Sequence, residues 1–248
     1  MNSNKFLTGV LGTAIAINLI SPVLVFAQKT PSSGGFCAKV DEVTSRIDQR
    51  MANREAQLQT KRQERSDNHA TRKSERDAQR AKNRSARDTN REEHYAKLEA
   101  RATTDEQKQA VAAFKAAVEA AVSTRKAAVD ATISAFRLSV DEAVASRKSS
   151  VDTAISTFTS ATTVAVDHAK ADCAAGVDSK TARETFRTSM KAAQDTFKSD
   201  RQAIEKLKDS LEPIRTARKQ SMDTAIADFK AVMEQARADL KAAFQTTQ

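Results

Sequence analysis

Apolar side chains recur along much of the chain at intervals of eleven residues. In the segment 105–174, one series consists of Val111, Val122, Ile133, Val144, Ile155 and Val166, and its neighbour of Val118, Val129, Val140, Val151, Thr162 and Cys173. Eleven residues make three turns of an α-helix, so each series stays on one face of a nearly straight helix. The pattern predicts long helices that pack through these faces.

Two local patterns predict where the helices begin and end. Thr104 and Gln107 have the spacing of a capping box, which starts a helix. Gly176 suits the left-handed position that ends a helix, and Asp178 and Ser179 follow it as candidate N-caps for the next one.

We therefore predict three helices: helix A at 36–102, helix B at 105–174 and helix C at 180–246, with a kink or break near 210–213. The break is expected because Pro213 cannot donate a backbone hydrogen bond. Nearly equal lengths and short turns predict an all-α fold, an elongated antiparallel three-helix bundle or coiled coil that forms a single rod with eleven-residue and twenty-two-residue repeats.

A dozen residues occur in three similar copies: RKAAVDATISAF from 125, RKSSVDTAISTF from 147 and RKQSMDTAIADF from 218. Within helix B they belong to an alternating series of Phe114, Arg125, Phe136, Arg147 and Phe158. We interpret the copies as packing units. An arginine in a packed seam needs water or a carboxylate as a partner. Antiparallel pairing of helices B and C about the turn at 176 places Arg125 near Asp228 and Arg147 near Glu205.

Residues 1–27 combine Lys5, an apolar run and a small-residue site at Val25-Phe26-Ala27, a pattern typical of a secretory signal peptide. The alternative is an uncleaved membrane anchor, since the run is long enough to span a bilayer. Residues 28–35, QKTPSSGG, predict a flexible linker. The mature chain is therefore expected outside the cytoplasm, in a periplasm, at a cell surface or released.

Cys37 opens helix A and Cys173 closes helix B, so antiparallel packing brings them to the same end. Exported proteins encounter oxidising conditions, and we predict a disulfide between these residues. A redox role is the alternative, although the Cys-x-x-Cys spacing is absent.

Composition agrees with a helical chain that carries excess positive charge: 41 Lys and Arg stand against 32 Asp and Glu, and aromatics make up 4% of 248 residues. A stretch of 36 residues, 59–94, contains only alanines as apolar residues. Through it runs a basic row at helical spacing: Arg62, Arg65, His69, Arg72, Arg76, Arg80, Arg84, Arg87 and Arg91.

Three interpretations of the basic row remain open. It is either a solvated face paired with local acids, or a site for a polyanion such as nucleic acid, polysaccharide or acidic lipid headgroups, or a segment that stands partly free of the bundle. If it binds a ligand, the surface is expected around Arg72, Arg76, Arg80, Arg84 and Arg87.

No catalytic, metal or cofactor site is predicted. The three histidines, His69, His94 and His168, are far apart in sequence, and motifs of metalloproteases, serine hydrolases and phosphate loops are absent. His168, Asp172 and Cys173 would make a weak metal set, which a disulfide at Cys173 would exclude.

Three segments, KLEARATTDEQKQAV, DCAAGVD and the RKxxVDxxIxxF units, resemble secreted Ala- and Arg-rich long-helical proteins of ultrasmall uncultured bacteria. The resemblance implies a helical fold and export, and it implies no activity or site. A looser likeness is to basic periplasmic holdase chaperones, and the twenty-two-residue period is similar to that of exchangeable apolipoproteins.

The sequence thus predicts a non-enzymatic structural or interaction protein of the cell envelope, a rigid helical spacer or scaffold with an unknown protein or envelope partner. One alternative is a protein that binds polyanions or acidic surfaces through the basic row. A second is a holdase-type chaperone or a lipid binder that opens its apolar seam.

Overall fold

The computed structural model of the protein describes residues 35–245, and these residues are almost entirely helical. A 3₁₀ turn at Phe36–Lys39 leads into four α-helices: α1 (Val40–Arg101), α2 (Asp105–Ala174), α3 (Ser179–Ala203) and α4 (Leu207–Gln245). No β-strand occurs between residues 35 and 245, and the predicted all-α class is confirmed. The predicted signal peptide, and the linker except Gly35, lie outside the described residues.

The turn between α1 and α2 is fixed by the capping box. The Thr104 hydroxyl accepts a hydrogen bond from the Gln107 N–H at 3.2 Å, and the Gln107 side-chain oxygen accepts one from the Thr103 N–H at 2.9 Å. Each side chain thus satisfies a donor that the helix start leaves open. Three residues, 102–104, therefore suffice to connect the two helices.

The turn between α2 and α3 depends on a glycine and an aspartate. Gly176 has φ 77°, and the Val177 N–H donates to the Asp172 carbonyl at 3.0 Å. This geometry closes α2 by the motif that favours glycine at the left-handed position. The Asp178 carboxylate then accepts from the N–H groups of residues 180 and 181, at 3.1 Å each, and caps α3.

The interruption of the third predicted helix lies earlier than the sequence indicated. It occurs at 204–206, where Ile204 adopts extended backbone angles between α3 and α4, and not at 210–213. Pro213 lies inside α4. A proline removes only its own N–H donor, so α4 loses one backbone bond and continues through it.

The described chain divides into two compact units. Unit 1 contains the described residues up to Ala56 together with Val140–Glu212, and unit 2 contains Gln57–Ser139 and the described residues from Pro213.

Unit 1 has an apolar core closed by a disulfide. Val40, Ile47, Phe186 and Met190 are buried in one cluster, and the Phe36 ring packs on the Phe186 ring with centroids 5.5 Å apart. Burial of such side chains is the main stabilising contribution to a helical core.

The predicted cysteine pair lies beside this core. The sulfurs of Cys37 and Cys173 are 2.00 Å apart and their Cα atoms 5.3 Å apart, as a disulfide requires. The Cys37 N–H also donates to the Ser179 hydroxyl at 3.2 Å. A side chain at Gly35 would collide with that hydroxyl, so glycine permits the close approach.

Unit 2 has a smaller apolar cluster. Tyr95, Phe114, Val118 and Ala236 are buried together, with the Tyr95 and Phe114 rings edge to face at 6.4 Å. The Tyr95 hydroxyl donates to Glu119 at 2.9 Å, so its polar end is satisfied.

Two copies of the repeated dozen pair reciprocally in unit 2. Arg125, which opens the first copy, lies 4.8 Å from the ring of Phe229, which closes the third. Arg218, which opens the third copy, lies 4.8 Å from the ring of Phe136, which closes the first. Each copy therefore supplies the cation for one cation–π contact and the ring for the other.

The structure corrects the predicted partners of Arg125 and Arg147. Arg125 contacts the ring of Phe229, whereas the neighbouring Asp228 was predicted. In unit 1, Arg147 donates to the backbone carbonyl of Glu205 and not to its carboxylate. The predicted register is thus right to within a residue, but a ring face or a carbonyl serves where an acid was expected.

The apolar series of α2 are buried unevenly. Val111, Val118, Val151 and Val166 are buried, whereas Val144 is 46% exposed.

Candidate functional site

A groove of about 1010 Å³ opens among α1, α2 and α4 within unit 2. We call it the basic groove, because Asp88 is the single carboxylate among the described residues that line it, against ten basic side chains: Arg76, Arg80, Arg84, Arg87, Arg91, Arg101, Arg125, Lys126, Arg237 and Lys241. Its apolar lining includes Val122, Val129, Phe229 and Met233. The site therefore combines strong positive charge with an apolar floor.

The composition of α1 explains why the groove exists. From residue 59 to residue 94 this helix provides no apolar side chain larger than alanine. The apolar faces of α2 and α4 consequently meet arginine side chains there, whose charged ends must reach water or an acid. The first large apolar side chain on α1 after this stretch is Tyr95, which is 1% exposed and belongs to the apolar cluster of unit 2.

A series of ion pairs joins α1 to α2 along one side of the groove. The Arg84 guanidinium makes two bonds to Asp130, both 2.8 Å long. Nearer the α1–α2 turn, Asp88 binds Lys126 at 2.8 Å and Arg91 binds Glu119 at 2.5 Å. Farther from the turn, Arg137 on α2 binds Asp77 on α1, with the second of its two bonds at 3.0 Å.

These contacts favour the charged forms of the groups involved. Hydrogen bonds from Arg84 lower the pKa of Asp130, and those from Arg137 lower the pKa of Asp77. The bond to Arg91 lowers the pKa of Glu119, while burial and that carboxylate raise the pKa of Tyr95. The tyrosine stays a neutral donor and the acids stay ionised near neutral pH.

The predicted basic row does not form one uniform solvent-facing surface. Arg80, Arg84 and Arg91 are partly buried, with side chains 27%, 27% and 15% exposed, and all three contact acids of α2. Arg65, His69 and Arg72 are exposed and lie outside the groove, and Arg62 is half-buried outside it.

Two members of the row, Arg76 and Arg87, are both exposed and part of the groove lining. The expected binding surface is therefore divided. All five members of the row that belong to the lining border the groove, but Arg80, Arg84 and Arg91 also contact acids of α2.

The sequence did not indicate the basic residues that other helices bring to this site. Arg125 and Lys126 come from α2, and Arg237 and Lys241 from α4. For Arg125 the available signal was its place in the series that alternates arginine with phenylalanine, which marks a cation in an apolar seam; Arg237 and Lys241 lie outside the repeated dozen.

Arg218 of α4 and the ring it covers, Phe136, do not belong to the groove lining. Arg218 lies over the Phe136 ring, and partial burial together with the positive charges of Arg76 and Arg80 lowers the pKa of its guanidinium. Between residues 35 and 245, no carboxylate lies within ion-pairing distance of Arg76 or Arg218. Burial and these like charges therefore both disfavour the charged form of Arg218.

The described residues contain no group of three side chains suited to hold a metal ion. His168 lies 3.1 Å from Asp172 in unit 1, but the Cys173 sulfur beside them belongs to the disulfide. In the part of the chain that the structure describes, no helix has both the length and the apolar character needed to span a membrane.

No family model matches the chain, and neither a curated protein nor a solved structure matches it. The resemblance to secreted proteins of ultrasmall bacteria therefore stays a prediction.

Proposed function

We propose that this chain is a non-enzymatic, extracytoplasmic interaction protein of the cell envelope, and that it binds an anionic ligand in the basic groove of unit 2. The observation that carries the proposal is the charge of the lining, in which ten basic side chains face one carboxylate among the described residues. Concentrated charge of one sign in a concave site attracts ligands of the opposite sign.

Export is part of the proposal. The signal-peptide pattern at 1–27 predicts it, and the disulfide between Cys37 and Cys173 supports it, because such bonds persist in oxidising compartments. The proposed kinship with secreted proteins of ultrasmall bacteria has the same implication.

We also propose that the helices form an antiparallel three-helix bundle with eleven-residue repeats. The reciprocal contacts of Arg125 with Phe229 and of Arg218 with Phe136 support opposite directions for the paired segments of unit 2. In the ion pairs between α1 and α2, residue numbers rise on one helix as they fall on the other, which is the same indication.

A purely structural role as a rigid spacer or scaffold is the second candidate. It is favoured by the use of Arg84 and Arg91 to hold α2, since these arginines already have internal partners. Anion binding is better supported than a spacer role, because Arg76 and Arg87 line the groove and make no ion pair with α2 among the described residues.

The test compares two double variants with equal changes in charge. Arg76→Glu with Arg87→Glu reverses charge in the groove, and Arg65→Glu with Arg72→Glu reverses it on the same helix outside the groove. Arg80 and Arg84 are left intact because their loss would disturb internal ion pairs. Binding to duplex DNA, an anionic polysaccharide and acidic vesicles is measured at low and physiological salt.

We expect the groove variant to lose binding and the control variant to retain it, with affinity falling steeply as salt rises. Equal losses in both variants would assign binding to the charge of α1 as a whole. If the unmodified chain bound none of these anions, the spacer role would stand instead.

A further inference from the structure

The basic groove of unit 2 combines basic residues spread along α1 and α4 with an apolar lining. We infer that it docks an acidic amphipathic helix of a partner protein, whose apolar face covers the lining and whose flanking carboxylates pair with basic residues of the groove. The inference rests on the proposed function and names a protein helix as the anionic ligand.

Half of the basic side chains that line the groove are already engaged within the fold. Four of them bind carboxylates and a fifth lies over a phenylalanine ring: Arg80, Arg84, Arg91, Lys126 and Arg125, respectively. The other five are exposed, and in the part of the chain that the structure describes they have no carboxylate within ion-pairing distance: Arg76, Arg87, Arg101, Arg237 and Lys241. These five are available to an external anion.

The five available residues lie too far apart for one small anion. On α1 they extend from Arg76 to Arg101, 25 residues apart, which corresponds to roughly 37 Å at the rise of an α-helix. On α4, Arg237 and Lys241 add two more, one helical turn apart. A phosphate or a single headgroup would pair with cations at one point and leave the others unpaired. An extended ligand with several negative charges pairs with all of them.

The apolar lining is also extended. On α2 it runs from Phe114 to Val129, and on α4 from residue 229 to residue 244. Fifteen residues correspond to roughly 22 Å, or about four helical turns. The members on α4 are only half-buried and follow one another at steps of four, seven and four residues: Phe229, Met233, Leu240 and Phe244. Such spacing forms a stripe on one helical face, which is the surface that one helix presents to another.

Charge and apolar contact together favour a helix over other anionic ligands. A nucleic acid or polysaccharide backbone would pair with the basic residues and leave the apolar lining against water, whereas covering this lining is favourable. A single-chain lipid would cover the lining and bring negative charge to one point only. An amphipathic helix with acidic residues beside its apolar stripe supplies both contacts along its whole length.

The chain itself does not supply such a helix in the part that the structure describes. Among the four described helices, only α2 has more acidic than basic residues, nine against eight. Its valines Val118 and Val151 are already buried within the fold. A second copy would therefore bring basic residues to a basic groove, and the occupant is expected to come from a different protein.

The experiment uses a synthetic acidic helix of about 21 residues as the probe, with leucine at the a and d positions of each heptad and glutamate at the e and g positions. A scrambled peptide of the same composition carries the charge without the apolar stripe. A third peptide, with lysine in place of glutamate, carries the stripe with the opposite charge. Binding of each labelled peptide to the purified chain is followed by fluorescence anisotropy.

Two double variants of α4 test the contribution of its charge. Arg237→Glu with Lys241→Glu reverses charge in the groove lining, and Lys219→Glu with Lys230→Glu makes the same change on α4 outside the lining. The control is mild, because the ion pair that Lys219 makes is exposed and contributes little. Thermal unfolding without peptide checks that each variant retains the fold.

A further variant tests the apolar lining. Met233→Gln replaces a half-buried apolar side chain of the lining by a polar one of similar length. We expect a folded Met233 variant to bind the acidic helix several-fold more weakly. If this variant fails to fold, the comparison of the striped and scrambled peptides tests the lining without any change in the protein.

We expect the chain to bind the acidic helix and to bind the scrambled peptide at least about tenfold more weakly. The variant of Arg237 and Lys241 should lose at least about tenfold in affinity for the acidic helix, and the control variant less than about twofold. The lysine peptide should not bind. Equal affinity for the striped and scrambled peptides, or equal losses in the two double variants, would overturn the inference.

The inference and the proposed function can fail separately. Binding of duplex DNA, an anionic polysaccharide or acidic vesicles that depends on Arg76 and Arg87, without binding of the acidic helix, would keep the anion-binding proposal and reject the partner helix. Absence of every interaction would reject both.

Discussion

The two compact units use different means to hold their helices together. Unit 1 relies on a covalent bridge and buried aromatic and aliphatic side chains, among them Phe186 and Met190. Unit 2 relies on ion pairs between α1 and α2 and on cation–π contacts, with a smaller apolar cluster around Tyr95. Unit 1 therefore has a closed apolar core beside a disulfide, whereas unit 2 leaves apolar side chains open to a groove beside its arginines.

The largest expected effect follows from removing the bridge in unit 1. Replacing Cys37 and Cys173 by serine opens a loop of 136 residues, and the chain-entropy model assigns roughly 5 kcal/mol of stability to such a loop. Urea unfolding of the double variant measures the change. A variant whose midpoint equals that of the unmodified chain would show that the core of unit 1 does not depend on its bridge.

A smaller effect is expected from truncating one buried ring in each unit. Phe186→Ala should destabilise the protein by roughly 3–5 kcal/mol, because the ring is enclosed by the core of unit 1. Phe114→Ala should cost less, because that ring already borders the basic groove and loses fewer neighbours. Thermal and urea unfolding of both variants give the comparison, and equal costs would contradict the distinction between a closed and an open core.

The smallest effect concerns the ion pairs of unit 2 and depends on pH. Asp130→Asn removes the partner of Arg84, and the expected loss near neutral pH is at most about 1 kcal/mol, because the Asp130 side chain is 47% exposed. The pKa of Asp130 in the folded chain is below its ordinary value of 3.8. Its contribution is therefore present above that value and is lost as the pH falls through the lower folded value.

Urea midpoints at about pH 7 and about pH 3 should show the difference between the Asp130 variant and the unmodified chain shrinking in acid. Asp141→Asn, an exposed residue on the same helix, is the matched control. A difference that stays constant with pH would mean that the variant acts through packing and not through the ion pair.

The sequence determined the features that depend on neighbouring residues. The capping box at Thr104, the left-handed glycine at 176 and the Asp178 cap each involve hydrogen bonds within a few residues, so local spacing is sufficient to locate them. The cysteine pair could be anticipated because antiparallel packing of two helices of similar length, joined by one short turn, brings Cys37 and Cys173 to the same end.

Tertiary structure decided which side chains meet across helices. Asp130 is 46 residues from Arg84, and no pattern in α1 alone shows that its arginines divide between ion pairs and the groove. The contact of Arg218 on α4 with the Phe136 ring on α2 likewise depends on the register of these two helices. The extended turn at Ile204 precedes Pro213, which α4 accommodates. The physical reason is the same for the ion pairs and for the groove. A cap is a contact within one turn of a helix, whereas these features exist only where separate helices meet or leave space between them.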